Sequence, residues 1–297
     1  MNIFKEIYNY LQYDFVKYAL IVGVLISLCC AILGVVLVLK RYAMLGDGLS
    51  HVAFGAMTIA LVLTISDMYL MLPITVLVAI LLVRLTNKGV VKNDSAIAML
   101  SVGALAFGYL LVNLFPTSSN VNGDVCSTLF GSTSILTLSA LDVWICIALT
   151  IIVLFYFIFF HNKIFAMTFD ENFAKSTGVK TSLYNNIMAV IIGIVIVLAM
   201  KLVGSLLISA LIVFPALSAI RLFKSYKMVI IFASIVSVVN SILGIFVSML
   251  WGTPVGATIV IFNIFVYFLC WLISIFVRNA KQCWFKIRNV RRKRWKN

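Results

Sequence analysis

Acidic side chains are scarce in this sequence. Nine of the 297 residues are Asp or Glu, and charged residues of both signs make up 11% of the chain. Hydrophobic residues make up 64%, and the mean hydropathy is +1.16. A soluble domain cannot bury so large an apolar fraction, so the composition excludes a soluble protein and predicts an all-α protein that crosses a membrane several times.

The sequence also lacks the motifs of common enzyme classes. It contains no GxxxxGK[ST] phosphate loop, no dinucleotide-binding glycine motif, no HExxH and no GxSxG. Without a phosphate loop of its own, the chain does not hydrolyse nucleotide in the P-loop manner. The six cysteines show no CxxC spacing, which argues against a zinc cluster or a disulfide framework. We therefore expect that this chain is not itself an enzyme and has no permanently bound cofactor.

Hydrophobic runs of membrane-spanning length divide the chain. The first run lacks a clear small-residue cleavage site and is interpreted as a span, not as a cleavable signal. Residues 228–277 carry no charge and are too long for one crossing, and turn residues at 251–256 divide them into two spans. Residues 125–141 are interrupted by polar residues and are interpreted as a short re-entrant or surface helix, so counts of eight or ten spans also fit. The nine expected spans lie at about 18–39, 43–65, 68–84, 95–115, 142–160, 181–200, 202–220, and on either side of 251–256.

Basic residues accumulate on alternate loops. Loops 40–41, 84–94, 161–180 and 221–227, with the tail from 278, hold 20 of the 23 Lys and Arg residues. We call the membrane side that carries these segments the basic side. By the positive-inside rule it is expected to be cytoplasmic, with the N-terminus outside and the C-terminus inside. This asymmetry explains the net charge of +14 without a nucleic-acid partner.

The expected organisation is a single membrane domain with two short flanking segments. Residues 1–17 form an external N-terminal segment, and residues 18–278 form the transmembrane domain. Residues 279–297 form a basic cytoplasmic tail, which is expected to rest on anionic lipid.

A polar segment at 169–180 is expected to form a short helix between two spans. Asp170 and Glu171 suit a helix N-terminus, and Gly178 suits a C-terminal stop. The segment is either a simple connection or a docking element for a cytoplasmic partner. In the second interpretation the apolar docking residues are Phe169, Phe173 and Ala174.

Two of the rare ionisable residues lie four positions apart in the second expected span. Asp47 and His51 would share one face of a helix, one turn apart. Ionisable groups are costly in a membrane, and a carboxylate with a neutral imidazole suits a divalent transition metal. Two ligands do not complete a coordination shell, so a second copy of the chain, water or backbone would supply the rest. In the alternative interpretation, Asp47 caps the helix and His51 is hydrogen-bonded within the bundle.

Four segments, in order, resemble a known transporter family. Residues 41–51 read RYAMLGDGLSH and resemble the RRMALLGDALSHA signature of the ABC-3 family of zinc, manganese and iron ABC-type permeases. Residues 169–179 read FDENFAKSTGV and resemble the DEEFAxxxGL coupling segment of that family. Residues 202–216 and 251–260 are similar to its VVGxLLVSALLIIPAA and LPTGPTIV runs.

The resemblance implies a homodimeric permease with a type II-like importer fold in a bacterial cell membrane. Two cytoplasmic ATPase subunits would power it, and an extracellular or periplasmic metal-binding protein would deliver the ion. At the matching positions, Asp47 and His51 become the site for the transported Zn, Mn or Fe. The residues expected to couple the permease to the ATPase are Asp170, Glu171, Ala174 and Gly178, and the docking interpretation adds Phe173.

Other functions remain compatible with these residues. An ABC permease for a metal chelate or a cobalamin-like ligand would need a wide polar cavity, and the spans contain few polar residues. An ion- or proton-coupled secondary transporter would use Asp47 as its proton carrier. A non-transporting scaffold would give the acid–imidazole pair no role. The sequence does not distinguish zinc, manganese and iron, because carboxylate and imidazole ligands suit all three.

Overall fold

The computed structural model describes residues 12–65, 67–87, 93–115 and 138–294. Within these ranges the chain consists of helices and short connections, without any strand. The helices of these ranges are named α1 to α11 in chain order. Their bounds are α1 Asp14–Leu39, α2 Leu45–Val62, α3 Asp67–Asn87, α4 Asn93–Leu114, α5 Ala140–Phe159, α6 His161–Phe169, α7 Glu171–Ser176, α8 Thr181–Val203, α9 Ser205–Leu222, α10 Tyr226–Trp251 and α11 Val255–Arg294.

The long helices of the described ranges correspond one to one to the nine expected spans. Eight of them are long and apolar enough to cross a membrane. The remaining one, α9, carries a shorter apolar stretch, Leu207–Leu222. The short helices α6 and α7, of 9 and 6 residues, lie between α5 and α8. The all-helical, multi-pass fold is therefore confirmed, and the count of nine spans is approximate.

Several boundaries differ from the sequence expectation. The first long helix begins at Asp14, whereas residues 1–11 lie outside the described ranges. The last helix continues to Arg294 as a single helix of 40 residues, so the basic tail prolongs the last span. The short helix expected at 125–141 lies outside the described residues except for its last few, which belong to the start of α5.

Helix α1 lies at the centre of the bundle, where it packs against α5, α9 and α10. Gly34 is the closest point of its approach to α9: a Cβ atom at this position would lie 2.1 Å from the carbonyl oxygen of Ile212. Ser237 of α10 also donates a 3.0 Å hydrogen bond to the carbonyl oxygen of Ser27. Small residues and hydroxyl groups therefore hold these helices together, as is common in membrane bundles.

Helix α2 packs against α3, α4 and α9 through its small residues. A Cβ atom at Gly48 would lie 2.6 Å from a side-chain atom of Ile97 in α4, and one at Gly46 would lie 2.7 Å from Ile212 in α9. Because these glycines are packed tightly between neighbours, α2 has a fixed rotation in the bundle. Helix α2 therefore lies inside the bundle, where its small residues allow close packing.

Candidate metal site and coupling segment

The connection between α1 and α2 determines where the acid–imidazole pair lies. Helix α1 ends in a Schellman turn, in which Arg41 takes a positive φ of 63°. Helix α2 then begins at Leu45, so that Asp47 lies in its first turn and His51 one turn later. At 1.5 Å per residue, both side chains lie within about 10 Å of the helix N-terminus. The pair is therefore on the half of α2 nearer the basic side.

The side chains of Asp47 and His51 lie next to each other. The Nε2 atom of His51 is 3.6 Å from the Oδ1 atom of Asp47, which is longer than a normal hydrogen bond. The His51 side chain is 14% exposed and the Asp47 side chain is 37% exposed. The imidazole is thus largely enclosed, while the carboxylate remains accessible from outside this chain.

Neither residue has the purely structural role considered from the sequence. The N-cap residue of α2 is Met44, and no side chain makes a capping hydrogen bond there, so Asp47 does not cap the helix. The Nδ1 atom of His51 is buried and has no hydrogen-bond partner within the part of the chain that the structure describes. Buried polar atoms without a partner are rare, so the ring is not held by structural hydrogen bonds.

Two candidate metal ligands, Asp47 and His51, lie together in one chain. Among the described residues, no group of three or more His, Cys, Asp or Glu side chains is placed to hold a metal ion. The cysteines of the spans are buried and free, and they lie at Cys29, Cys30, Cys146 and Cys270. A metal ion bound by Asp47 and His51 would therefore still need ligands from a second chain, water or backbone, as the sequence predicts.

Helix α7 is capped at both ends by residues of its own segment. At the N-terminus, the carboxylate of Asp170 accepts a 2.9 Å hydrogen bond from the backbone N–H of Phe173. At the C-terminus, Gly178 takes a φ of 84°, and the turn has the two backbone hydrogen bonds of a Schellman motif. Glu171 and Lys175 form an ion pair of 3.2 Å along the helix. The short helix expected from Asp170, Glu171 and Gly178 is confirmed.

Helix α7 has one buried residue and a markedly exposed apolar surface. Ala174 is fully buried against the bundle. Phe173 is 61% exposed, and Phe169, just before the helix, is 60% exposed. Exposed aromatic side chains beside a polar helix are typical of a protein–protein contact surface.

Lys40 links this region to the connection before α2. Its ammonium donates a 2.7 Å hydrogen bond to the Oδ1 atom of Asn185 in α8. Burial lowers the pKa of Lys40, and the carboxylate of Glu171 acts in the opposite direction. Asn185 is 3% exposed, and its Nδ2 atom has no hydrogen-bond partner in the described ranges. Lys40 therefore lies between α7 and the start of the helix that carries Asp47.

A polar cavity adjoins the same cluster. It has a volume of about 360 Å³ and is lined by residues of α3, α7 and the start of α8. Arg84 of α3 reaches across it and donates a 3.4 Å hydrogen bond to Asn186. Helices α3, α7 and α8 therefore meet through polar groups on the basic side.

A family comparison covers nearly the whole chain. The model of the ABC 3 transport family matches residues 12–274. The chain belongs to the ABC 3 transport family.

Two named bacterial proteins have sequences similar to this chain. The manganese import system permease protein ScaB of Streptococcus gordonii is 27% identical over 263 residues, which are 89% of this chain and 92% of that protein. The manganese transport system membrane protein MntC of Halalkalibacterium halodurans is 27% identical over 252 residues, which are 84% of each chain.

A solved structure has the same fold. PsaBC from Streptococcus pneumoniae, in complex with a Fab, superposes with a TM-score of 0.77 at 25% identity, over 90% of this chain and 94% of that chain. The family resemblance and the fold expected from the four sequence segments are therefore confirmed.

Sequence reasoning missed part of the polar cluster of this ABC 3 family member. Lys40 was interpreted as a topology signal, and Asn185 as part of an apolar span. The available signal was a polar amide within an apolar run, which usually has a partner in a membrane protein. Helix α6 was also missed, because residues 161–169 were assigned to a loop.

Proposed function

We propose that this chain is the membrane permease subunit of an ATP-powered importer of divalent transition-metal ions, with manganese as the first candidate. Membership of the ABC 3 transport family supports the ATP-powered mechanism over an ion-coupled one. Two similar proteins, ScaB and MntC, are named for manganese import or transport. Because this sequence has no phosphate loop, ATP hydrolysis is assigned to a separate cytoplasmic subunit.

The observation that carries the proposal is the separation of the Asp47 and His51 side chains. Two ligand atoms bonded at about 2.1 Å to one ion stand about 3.0 Å apart in an octahedral shell, which manganese prefers, and about 3.4 Å apart in a tetrahedral one. The Oδ1 atom of Asp47 and the Nε2 atom of His51 are 3.6 Å apart, close to both values. The two atoms can therefore bind one transported ion with little movement of α2.

The chemistry of this pair suits manganese, ferrous iron and zinc. A carboxylate is a hard ligand that manganese accepts, whereas an imidazole suits iron and zinc as well. Selectivity among these metals depends on the ligands that complete the shell.

The missing ligands are assigned to a second copy of the chain and to water. The carboxylate of Asp47 is 37% exposed in the isolated chain, so it can face a partner across a two-fold axis. In such a homodimer, Asp47 and His51 of each chain would line one path. Alternation between inward-open and outward-open states would then pass the ion along.

The segment that couples transport to ATP hydrolysis is assigned to α7 and its flanks. Its proposed residues are Asp170, Glu171, Phe173, Ala174 and Gly178. Asp170 and Gly178 shape the helix, Ala174 seats it on the bundle, and Phe173 is exposed for contact with the ATPase subunit. The negative charge of Glu171 favours the protonated form of Lys40, which lies seven residues before Asp47. A movement of α7 would therefore change the electrostatic potential near the start of α2.

The proposed location is a bacterial cell membrane, with the basic side in the cytoplasm. The excess of Lys and Arg on that side supports the N-terminus outside and the C-terminus inside. An extracellular or periplasmic metal-binding protein would deliver the ion to the opposite face.

The test is the metal content of cells that lack this chain. Manganese, iron and zinc are measured together, after rescue with wild type, Asp47→Ala, His51→Ala or Asp142→Asn. Asp142 lies in the capping box of α5 and serves as a carboxylate control. We expect wild type and Asp142→Asn to restore one metal, manganese first, while the two site variants reach the membrane but restore nothing. Normal uptake by both site variants would refute the proposed site.

A further inference from the structure

A second cavity lies away from the metal site, between α1, α5 and α10. Its volume is about 450 Å³, within the usual range for small-molecule sites. Most of its wall is apolar and includes Ile32, Phe157, Ile158 and Ile231. Ile32 is buried at the base, whereas Ile158 and Ile231 are exposed at its edges. The cavity is therefore an apolar groove that opens sideways from the helix bundle.

One end of this groove is polar. Its lining there comprises His161 and Asn162 of α6 and Lys227 in the first turn of α10. The His161 ring packs against Tyr226 at 5.4 Å between ring centroids, which leaves Lys227 beside it at the surface. Within the described ranges, no carboxylate lies within ion-pair distance of Lys227. The polar end thus offers a cation that has no counter-ion among the described residues.

The two ends of the groove match the two parts of a membrane lipid. The apolar part follows the last turns of α5 and the first turns of α10, which are both membrane-spanning helices. The polar end coincides with the ends of those helices on the basic side, where the lipid headgroups lie. The N-terminus of α10 has no side-chain cap, so its free N–H groups add to the attraction for an anion.

We propose that this groove binds one anionic phospholipid. An acyl chain lies along the wall formed by Ile32, Phe157 and Ile231, and the phosphate contacts Lys227. Anionic headgroups are attracted to juxtamembrane cations by about 1 kcal/mol per charge. The inference uses no residue of the metal site and does not depend on which ion is transported.

The test is native mass spectrometry of the full chain, purified from nanodiscs of equal phosphatidylglycerol and phosphatidylcholine. Two pairs of variants are compared. Lys227→Gln removes the cation of the groove, and Lys224→Gln removes a nearby exposed cation that does not line it. Ile231→Trp fills the groove, and Ile235→Trp places the same ring one turn further along α10, at a position that is similarly exposed.

Wild type, Lys224→Gln and Ile235→Trp are expected to retain one phosphatidylglycerol per chain. Lys227→Gln should lower that retained fraction about fivefold, as the loss of one surface charge implies, and Ile231→Trp should lose the lipid. Equal retention by both members of each pair, with every variant eluting as a folded species, would overturn the proposal. Retention of phosphatidylcholine in equal amount would overturn the role of the anionic headgroup.

Discussion

The ammonium of Lys40 donates a 2.7 Å hydrogen bond to the Oδ1 atom of Asn185, 145 residues away in the chain. The bond ties the end of α1 to the first turns of α8. Glu171, in the coupling segment, acts on the same ammonium through its charge. Two distant segments therefore meet in one polar contact close to the helix that carries Asp47, and the charge of a third segment acts on it.

A double-mutant cycle on Lys40 and Asn185 should show strong coupling. Lys40→Met leaves the buried Asn185 amide without its partner, and Asn185→Leu leaves the ammonium without its acceptor. Each single substitution should lower the free energy of unfolding by about 1–3 kcal/mol, whereas the double variant should lose less than the sum of the two single losses. The measurement is unfolding of the purified chain in detergent. Additive losses would show that the hydrogen bond contributes no stability.

Burial of the same ammonium makes the stability of the fold depend on pH. Burial lowers the pKa of Lys40 below the ordinary value of 10.5, so the unfolded chain binds more protons than the folded chain between the two values. Stability from this group therefore rises as the pH increases towards 10.5. Lys40→Met should remove this part of the slope in thermal unfolding measured at a series of alkaline pH values. An identical slope in wild type and variant would contradict the assignment.

Glycine at position 34 should be required for the approach of α1 to α9. Gly34→Ala places a Cβ atom 2.1 Å from the backbone oxygen of Ile212, so the helices must separate. We expect Gly34→Ala to lower the free energy of unfolding by about 1–3 kcal/mol. The control is Gly103→Ala, since a Cβ atom there meets nothing within 4 Å. Its stability should stay within about 1 kcal/mol of wild type. Equal effects at both positions would disprove the close contact.

Phe173 should matter for the ATPase and not for the fold. Its side chain is 61% exposed, so Phe173→Ala should leave thermal stability unchanged. Loss of an aromatic anchor costs an interface 1 kcal/mol or more, so the ATPase subunit should co-purify about fivefold less well. Phe155→Ala is the matched control, because Phe155 is 60% exposed on the membrane helix α5. Unchanged co-purification of the ATPase with Phe173→Ala would exclude this residue from the interface.

The sequence predicted the fold through features that act locally. Uninterrupted apolar runs located the spans, Asp170 and Gly178 located a short helix, and the Gly252 region located the turn between α10 and α11. The pair Asp47 and His51 stood out because ionisable residues are so rare in this chain.

Contacts between distant segments could not be predicted in the same way. The pairing of Lys40 with Asn185 depends on how α1 and α8 pack, and the 2.1 Å approach at Gly34 depends on the position of Ile212. No periodicity in a single sequence encodes such distances. The groove between α1, α5 and α10 was missed for the same reason, since its lining comes from four separate helices.

Asp47 and His51 are the residues proposed to bind the transported ion. Electron spin-echo spectroscopy of Mn²⁺ bound to the purified protein tests this assignment directly, with ¹⁵N-histidine labelling to identify the nitrogen. We predict a nitrogen modulation from imidazole that disappears in His51→Ala, and weaker Mn²⁺ binding in Asp47→Ala. The same modulation in His51→Ala, or unchanged Mn²⁺ binding in both variants, would contradict the account.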